Sequence, residues 1–399
     1  MGAWCDAAVG GAWDFAADRL RSALKTSPHK SNFAFAVCQL GAEPALKAEI
    51  LRLYPGWRFA FSRPGFVTWR TDSVVADDLR LGTVFARAFG ISLGRASDSA
   101  AVIALAQQLR AGEHSALVLH VFPRNHSGAC EEASLKTPRG LEDEASDAWA
   151  AAVREQLLQE APADLFVTEA RQPRVGELVL DVIVAQGEPL AVGAHRHHSG
   201  HLPYPGGRIP LTLPPEAPSR AWLKIEEALG WSALPLRAGE TAVEVGSAPG
   251  GASWALLQRG LTVIGVDPGA MDPRVLAQPR FTHLQTTLGE VRREQLPARV
   301  DWLLLDVNLA PQVALHGIRR IVSTLRGTLR GVVFTLKLND WDMAAALPAL
   351  CERIQGMGLH SLKVRQLAAN RREVCVVAAA QSMAKSLPGW SASQSHSQP

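Results

Sequence analysis

Cysteine pairs, a long apolar run and a strong net charge are all missing from this 399-residue sequence. Its five cysteines, Cys5, Cys38, Cys130, Cys351 and Cys375, are scattered with no CxxC pair, which argues against a cysteine zinc cluster and a disulfide framework and fits a reducing compartment. No stretch reaches the length needed to span a bilayer. The start, MGAWCDAAVGGAWDFAADRLRSALK, lacks a basic leader followed by a continuous apolar segment. The chain therefore reads as soluble and cytoplasmic, with no membrane partner. A net charge of +3 permits nucleic-acid binding without demanding it. Lysine is also scarce, 8 residues against 33 arginines, so a lysine inside a motif calls for a reason. Arginine keeps its proton at workable pH whereas a shielded lysine can lose it, so a basic side chain acting as a proton acceptor would have to be lysine.

What is present divides the chain. With 47% hydrophobic residues it can bury a large core, and its length predicts two or three units. Residues 1–30 are Ala- and Gly-rich and read as a poorly ordered extension. The apolar run Phe33 to Leu40 is the first convincing element, followed by a helix over Gly41 to Leu53 and two short strands within Trp57 to Trp69 around Arg63-Pro64-Gly65. A second set of elements follows. A helix is predicted at Ala100 to Arg110, a strand at Ala116 to Phe122, a long helix at Ala145 to Gln159 and a strand at Glu177 to Ala185, with the polar segment Arg124 to Glu144 as a loop. Residues 31–205 thus read as two α+β units. Residues 206–218, rich in Pro and Gly, read as a linker, and 381–399 as a disordered tail.

From 219 to 380 strands alternate with helices and lack tight hairpins, which predicts an α/β fold with a doubly wound, mostly parallel sheet. The strongest local signal is AVEVGSAPGG, an apolar strand running into a glycine turn that opens a helix. Gly246, Ser247, Ala248, Pro249, Gly250 and Gly251 are small or turn-forming residues at a strand's carboxyl end, where open α/β sheets bind ligands, and they would make room for a cofactor. The spacing is not GxGxxG, which disfavours a dinucleotide and with it an oxidoreductase. Asp267 closes the next strand, where an acid can accept hydrogen bonds from both hydroxyls of an adenosine ribose; the blander alternative is a cap on its own turn. DWLLLD places Asp306, and GVVFTLK places Lys337, at strand ends facing the same crevice. A lysine there is costly unless solvated or paired, so the two are expected to share a polar pocket. Lys224, in SRAWLKIEE, sits on the helix entering the domain, and Glu373, in RREVCVV, starts the last strand.

The run SRAWLKIEEAL, then EVGSAPGGASW, VDP, LLLD, FTLK and REVCVV, resembles the FtsJ-type ribose 2′-O-methyltransferases over about Ser219 to Ala379. The resemblance implies a Rossmann-like class I methyltransferase fold, S-adenosyl-L-methionine as cofactor, and a catalytic tetrad on Lys224, Asp306, Lys337 and Glu373. FARAFG, Phe85 to Gly90, and YPGGRIPLTLPPEAPSRAWLKIEEAL resemble the bacterial RlmM type. That likeness implies ferredoxin-like and THUMP-like RNA-binding regions ahead of the catalytic domain, and a cytidine ribose of large-subunit ribosomal RNA as target. Two features depart from the RlmM pattern. Thr286 and Thr287 stand where an acid is usual, so an adenine contact is missing or moved to Glu290, and Ala221 replaces a serine. The rival reading is an RNA-binding or ribosome-assembly protein with a degenerate methyltransferase domain.

Other features take blander readings. His195, His197, His198 and His201 crowd AHRHHSGH; they could bind a metal or touch phosphate, but with no nearby cysteine a solvated loop is the expectation, and no metal is assigned. Trp222 and Trp254 near the glycine turn read as packing, and Arg371 and Arg372 as possible phosphate contacts.

Overall fold

The computed structural model describes residues 29–111, 113, 115–124 and 141–380, with backbone alone at 141–144. The expected N-terminal extension, apart from its last two residues, the C-terminal tail and residues 125–140 of the expected 124–144 loop lie outside the described residues; residues 141–144 of that expected loop are helical instead. The chain divides into two units on either side of Ile209 and Pro210.

The first unit contains β1 (Lys30–Val37), α1 (Glu43–Leu53), β2 (Arg58–Arg63), β3 (Phe66–Ala76), β4 (Ala88–Ala96), α2 (Ser99–Arg110), β5 (Val118–Pro123), α3 (Leu141–Glu160), β6 (Leu178–Val184) and β7 (Leu190–Arg196). Local chemistry explains several boundaries. Pro44 sits in the first turn of α1, Gly65 takes the left-handed φ that the β2–β3 turn needs, and the Asp98 carboxylate accepts the Ala101 amide at the start of α2. Instead of two separate α+β units, all the strands join one seven-stranded sheet in the order β2-β3-β1-β4-β7-β6-β5. The join is β4, antiparallel to β1 on one side and to β7 on the other. Neither β4 nor β7 was legible in the sequence, because AFGISLGRA and LAVGAHR carry glycines that weaken a strand signal. Gly193 has a packing reason: a Cβ there would collide with the Phe35 ring.

Two further expectations are corrected here. The histidine segment is not a solvated loop. His195 lies on β7, and His195, His197, His198 and His201 are all buried. Imidazole tolerates this because it can shed its charge: burial pushes His197 and His198 down to about 4, so both are neutral at pH 7. Nor is the Pro/Gly segment a free linker from its start. Pro205–Gly207 forms a 3₁₀ turn whose two glycines are buried, with Gly206 against the Phe122 ring and Gly207 against the Arg87 backbone.

The second unit contains α4 (Ala221–Ser232), β8 (Thr241–Val245), α5 (Gly251–Gln258), β9 (Thr262–Val266), α6 (Pro273–Leu276), β10 (Phe281–Leu284), β11 (Trp302–Leu305), α7 (Pro311–Leu325), β12 (Gly331–Lys337), α8 (Leu347–Gln355), β13 (Leu359–Arg365) and β14 (Glu373–Ala380). Their sheet order is β10-β9-β8-β11-β12-β14-β13. The first five strands of that order run parallel, and β14 is antiparallel to both neighbours. The α/β, doubly wound, mostly parallel reading is therefore correct. Its central strands are apolar runs buried along nearly their whole length, as a sheet covered on both faces requires. The strands that escaped notice, β10 and β13, are the two edges, where partial exposure mixes polar with apolar residues. Strand order reverses between β8 and β11, with β9 and β10 leading one way and β12 the other. This switch point is where the ends of parallel strands open a crevice. Among the described residues no helix is long and apolar enough to cross a membrane.

Candidate active site

At the end of β8 the chain makes the glycine turn. Gly246 and Gly250 have φ of 86° and 115°, values that side-chain-bearing residues rarely adopt, and the Gly246 amide donates to the Val266 carbonyl at 2.8 Å. These glycines also meet a packing demand. A Cβ on Gly246 would strike the Asp306 carbonyl, and one on Gly251 the Ser219 side chain, so the turn needs glycine for its own packing. Ser247 is buried, and Ala248 and Pro249 are joined by a cis peptide bond.

Asp267 follows β9 and reaches both its own turn and the glycine turn. Its Oδ1 accepts the Gly269 amide at 2.7 Å and its Oδ2 the Ala248 amide at 3.1 Å. Each carboxylate oxygen keeps a further lone pair for a hydroxyl. Past β10, the Glu290 carboxylate accepts from Thr287 Oγ1 at 2.8 Å and lies 3.3 Å from Thr286 Oγ1. The fold thus brings an acid to the two threonines that stand where one was expected. Trp222 and Trp254 pack against the core beside the turn, as expected.

The four separated residues of the expected tetrad meet at the strand ends. Lys337 and Glu373 are direct partners across the β12–β14 ladder. Asp306 follows β11 and continues its pairing, its amide donating to the Val245 carbonyl at 2.9 Å. Lys224 arrives from the first half of α4. Its Nζ donates to Asp306 Oδ2 at 2.9 Å and to Glu373 Oε2 at 2.8 Å, while Lys337 Nζ lies 3.0 Å from Asp306 Oδ1 and 3.2 Å from Glu373 Oε2. Two ammonium groups and two carboxylates alternate, so each charge faces two of opposite sign. The side chains are only 7–21% exposed.

Burial alone would raise the Asp306 carboxyl, but the Lys224 and then the Lys337 ammonium outweigh it and hold the group below its ordinary value. Burial would likewise lower Lys337. The Asp306 and Glu373 carboxylates prevail and hold it above its ordinary value. The sequence left open whether Lys224 or Asp306 would dominate Lys337; the carboxylates do.

Two residues that sequence reasoning passed over shape this site. Glu227, one helical turn beyond Lys224, is buried and accepts the Ala369 amide at 2.6 Å and the Ala368 amide at 3.1 Å. It clamps α4 to the loop preceding Glu373 and so fixes Lys224 relative to Glu373. Its signal was the charge in KIEE on an otherwise apolar helix face. Glu244, on β8, is buried and accepts from the Ser253 hydroxyl. Burial, with the Asp306 and Asp267 carboxylates adding to it, pushes it up to about 8 against the pull of Ser253. A carboxylate in the middle of an apolar strand was its signal. With the Asp267 and Asp306 carboxylates beside the glycine turn, the crevice suits a cationic nucleoside far better than a pyrophosphate.

Residues 217–346, which supply most of this crevice, match the family model described as FtsJ-like methyltransferase. The likeness is to that part of the chain alone, and Glu373 folds back into the same site from beyond the matched segment. Curated relatives carry the name Ribosomal RNA large subunit methyltransferase M. The chain is 35% identical over 216 residues to that of Alkalilimnicola ehrlichii, covering 51% of this chain and 57% of the relative. It is 37% identical over 185 residues to that of Laribacter hongkongensis (44% and 51% covered) and 38% identical over 184 residues to that of Methylococcus capsulatus (43% and 50%). The chain thus matches about half the length of these relatives.

Proposed function

We propose that this chain is an S-adenosyl-L-methionine-dependent RNA methyltransferase acting on a ribose 2′-hydroxyl of large-subunit ribosomal RNA in the cytoplasm, with a cytidine as the nucleotide that its resemblance to the RlmM type implies. The observation that carries this reading is the packing of Lys224, Asp306, Lys337 and Glu373 into one cluster at the strand ends beside the glycine turn.

When bound, the cofactor supplies an electrophilic methyl carbon on a sulfonium. The residues Gly246 to Gly251 and Asp267 would hold its adenosine, Asp267 accepting from the ribose hydroxyls, and Asp306 would lie toward its cationic end. A ribose hydroxyl is a weak nucleophile, so the protein has to orient it for in-line attack and accept its proton. Lys337 is the proton acceptor in this scheme. With two carboxylates on it Lys337 is an ammonium at neutral pH, so its base function draws on the small neutral fraction, which grows tenfold with each pH unit. Lys224 and Glu373 orient the hydroxyl and Lys337, and Asp306 steadies both lysines.

Residues 31–205, the ferredoxin-like and THUMP-like region of this reading, bind the RNA. Basic side chains over the β2 aromatics of that unit support the assignment: the Arg63 and Arg95 guanidiniums sit 4.6 and 5.3 Å from the Phe61 ring centre on one side of the sheet, and Lys47 Nζ sits 4.7 Å from that of Phe59 on the other. The rival, an RNA binder with a degenerate methyltransferase domain, gives no reason to gather two lysines and two acids in a largely buried cluster, since such a cluster rarely stabilises a fold.

The decisive experiment incubates the full chain with labelled cofactor and large-subunit ribosomal RNA from a strain lacking the gene, then maps the product. A single ribose 2′-O-methyl is expected. Methylation of a base, or no transfer despite cofactor binding by calorimetry, refutes the reading.

A further inference from the structure

The histidines that the sequence assigned to a loop form the most concentrated group of metal-ligating side chains in the described residues outside the crevice. His195 and His197 are two apart across the end of β7, so their side chains leave the same face, and a turn closed by the His201 amide on the His198 carbonyl brings His201 back over them. One ring nitrogen from each of His195, His197 and His201 lies within 4.8 Å of the other two. The ring centres are 4.1 Å apart for His195 and His201 and 5.9 Å for His197 and His201, and Phe89 covers the group with its ring 4.4 Å from that of His201.

Two features turn this from a packed cluster into a site. His195 Nε2 and His197 Nδ1 are buried without a hydrogen-bond partner among the described residues. Burying such an atom unpaired is costly, and both belong to the group whose ring nitrogens gather within 4.8 Å. The opposite nitrogen of His195 is held by the buried Asp181 carboxylate at 2.6 Å. That contact keeps the proton on Nδ1 and turns the lone pair of Nε2 inward, the carboxylate–histidine arrangement that supports metal-ligating imidazoles. His120, 3.7 Å from the other oxygen of Asp181, steadies the carboxylate from β5.

His201 is approached at Nδ1 by the His198 amide at 3.4 Å, a contact long enough to yield if Nε2 is to turn inward. A second trio, His29, Asp77 and Glu113, already holds a cation: the Arg196 guanidinium lies 2.8 Å from Asp77 and 2.7 Å from Glu113.

We infer that His195, His197 and His201 bind one divalent transition metal of the zinc class, with Asp181 as the carboxylate behind His195. Neutral imidazoles suit such ions, and tetrahedral zinc, with nitrogens about 3.3 Å apart, would draw the three rings closer than their present spacing. The ion would tie the turn leaving β7 to the sheet, a structural role independent of methyl transfer.

The test titrates Co²⁺ into the full-length, chelator-stripped chain and follows the visible d–d bands of tetrahedral cobalt, then displaces it with Zn²⁺. One ion per chain is expected, with a metal-dependent rise in Tm. Its affinity should fall at least about 100-fold in His197→Gln and His201→Gln, and by about 10- to 100-fold in Asp181→Asn. Glu113→Gln should bind like the wild type. Absence of stoichiometric Co²⁺ binding by the wild type overturns the inference whatever the variants do. Retention of wild-type affinity and bands in a His197→Gln or His201→Gln protein that keeps its far-ultraviolet circular dichroism overturns it equally.

Discussion

Glu373→Gln should move the alkaline limb of the methylation rate toward neutral pH. Lys337 Nζ stands 3.0 Å from Asp306 and 3.2 Å from Glu373, and these carboxylates hold its pKa above the ordinary 10.5. If neutral Lys337 accepts the ribose proton, single-turnover rates of the wild type should climb about tenfold per unit from pH 7 to pH 9.5 without levelling. Removing one carboxylate at this distance lowers a lysine pKa by about 1 to 3 units. The loss should sit toward the upper end of that range, because Glu373 Oε2 also separates Lys337 from Lys224, 2.8 Å away on the other side. The variant's rate should therefore bend toward a plateau inside the accessible range, even if the plateau itself is lower. The assay is single-turnover methyl transfer to ribosomal RNA with cofactor and RNA saturating at every pH. A limb that keeps the wild-type position in Glu373→Gln would show that the titrating group is not Lys337.

Substituting Lys337 by Arg, which keeps the charge but cannot act as a base, or by Ala, should leave cofactor and RNA binding nearly intact while single-turnover rates fall by about 10² to 10⁴; an Arg variant retaining more than about a tenth of the rate would make the lysine a charge clamp. Asp267→Ala should weaken S-adenosyl-L-methionine binding in calorimetry by about 1.5 to 3 kcal/mol, and unchanged affinity would leave Asp267 as the turn cap its bonds to Gly269 and Ala248 also describe. Glu244 tests the buried acid. The folded chain keeps its proton up to about pH 8 while the unfolded chain loses it near 4.5, so its contribution is fully present below 4.5 and falls as pH rises to about 8. That loss amounts to about 4 kcal/mol between pH 5 and pH 8. Glu244→Gln, which can still accept from Ser253, should flatten the pH dependence of urea unfolding by that amount; identical slopes in wild type and variant would show that Glu244 is ionised in the fold.

The sequence by itself determined the parallel sheet and most of the candidate site. Central strands of such a sheet are buried on both faces, so β8, β9, β11 and β12 had to be apolar runs, and the polar residue ending or following each of β9, β11 and β12 marked the crevice. In a chain with so few lysines, Lys224 and Lys337 stood out against the arginines. Edge strands β10 and β13 and the glycine-bearing β4 and β7 were illegible because exposure and backbone contact, rather than local propensity, select their residues.

Only the tertiary structure could decide what depends on partners far apart in the chain. The paired carboxylates, one across a β-ladder and one from β11, win the contest for Lys337. A single sheet unites what read as two units because β4 finds β1 and β7. The same neighbours carry His195, His197 and His201 out of solvent: the ease with which imidazole gives up its proton allows burial, and pairing of β6 with β7 sets Asp181 behind His195.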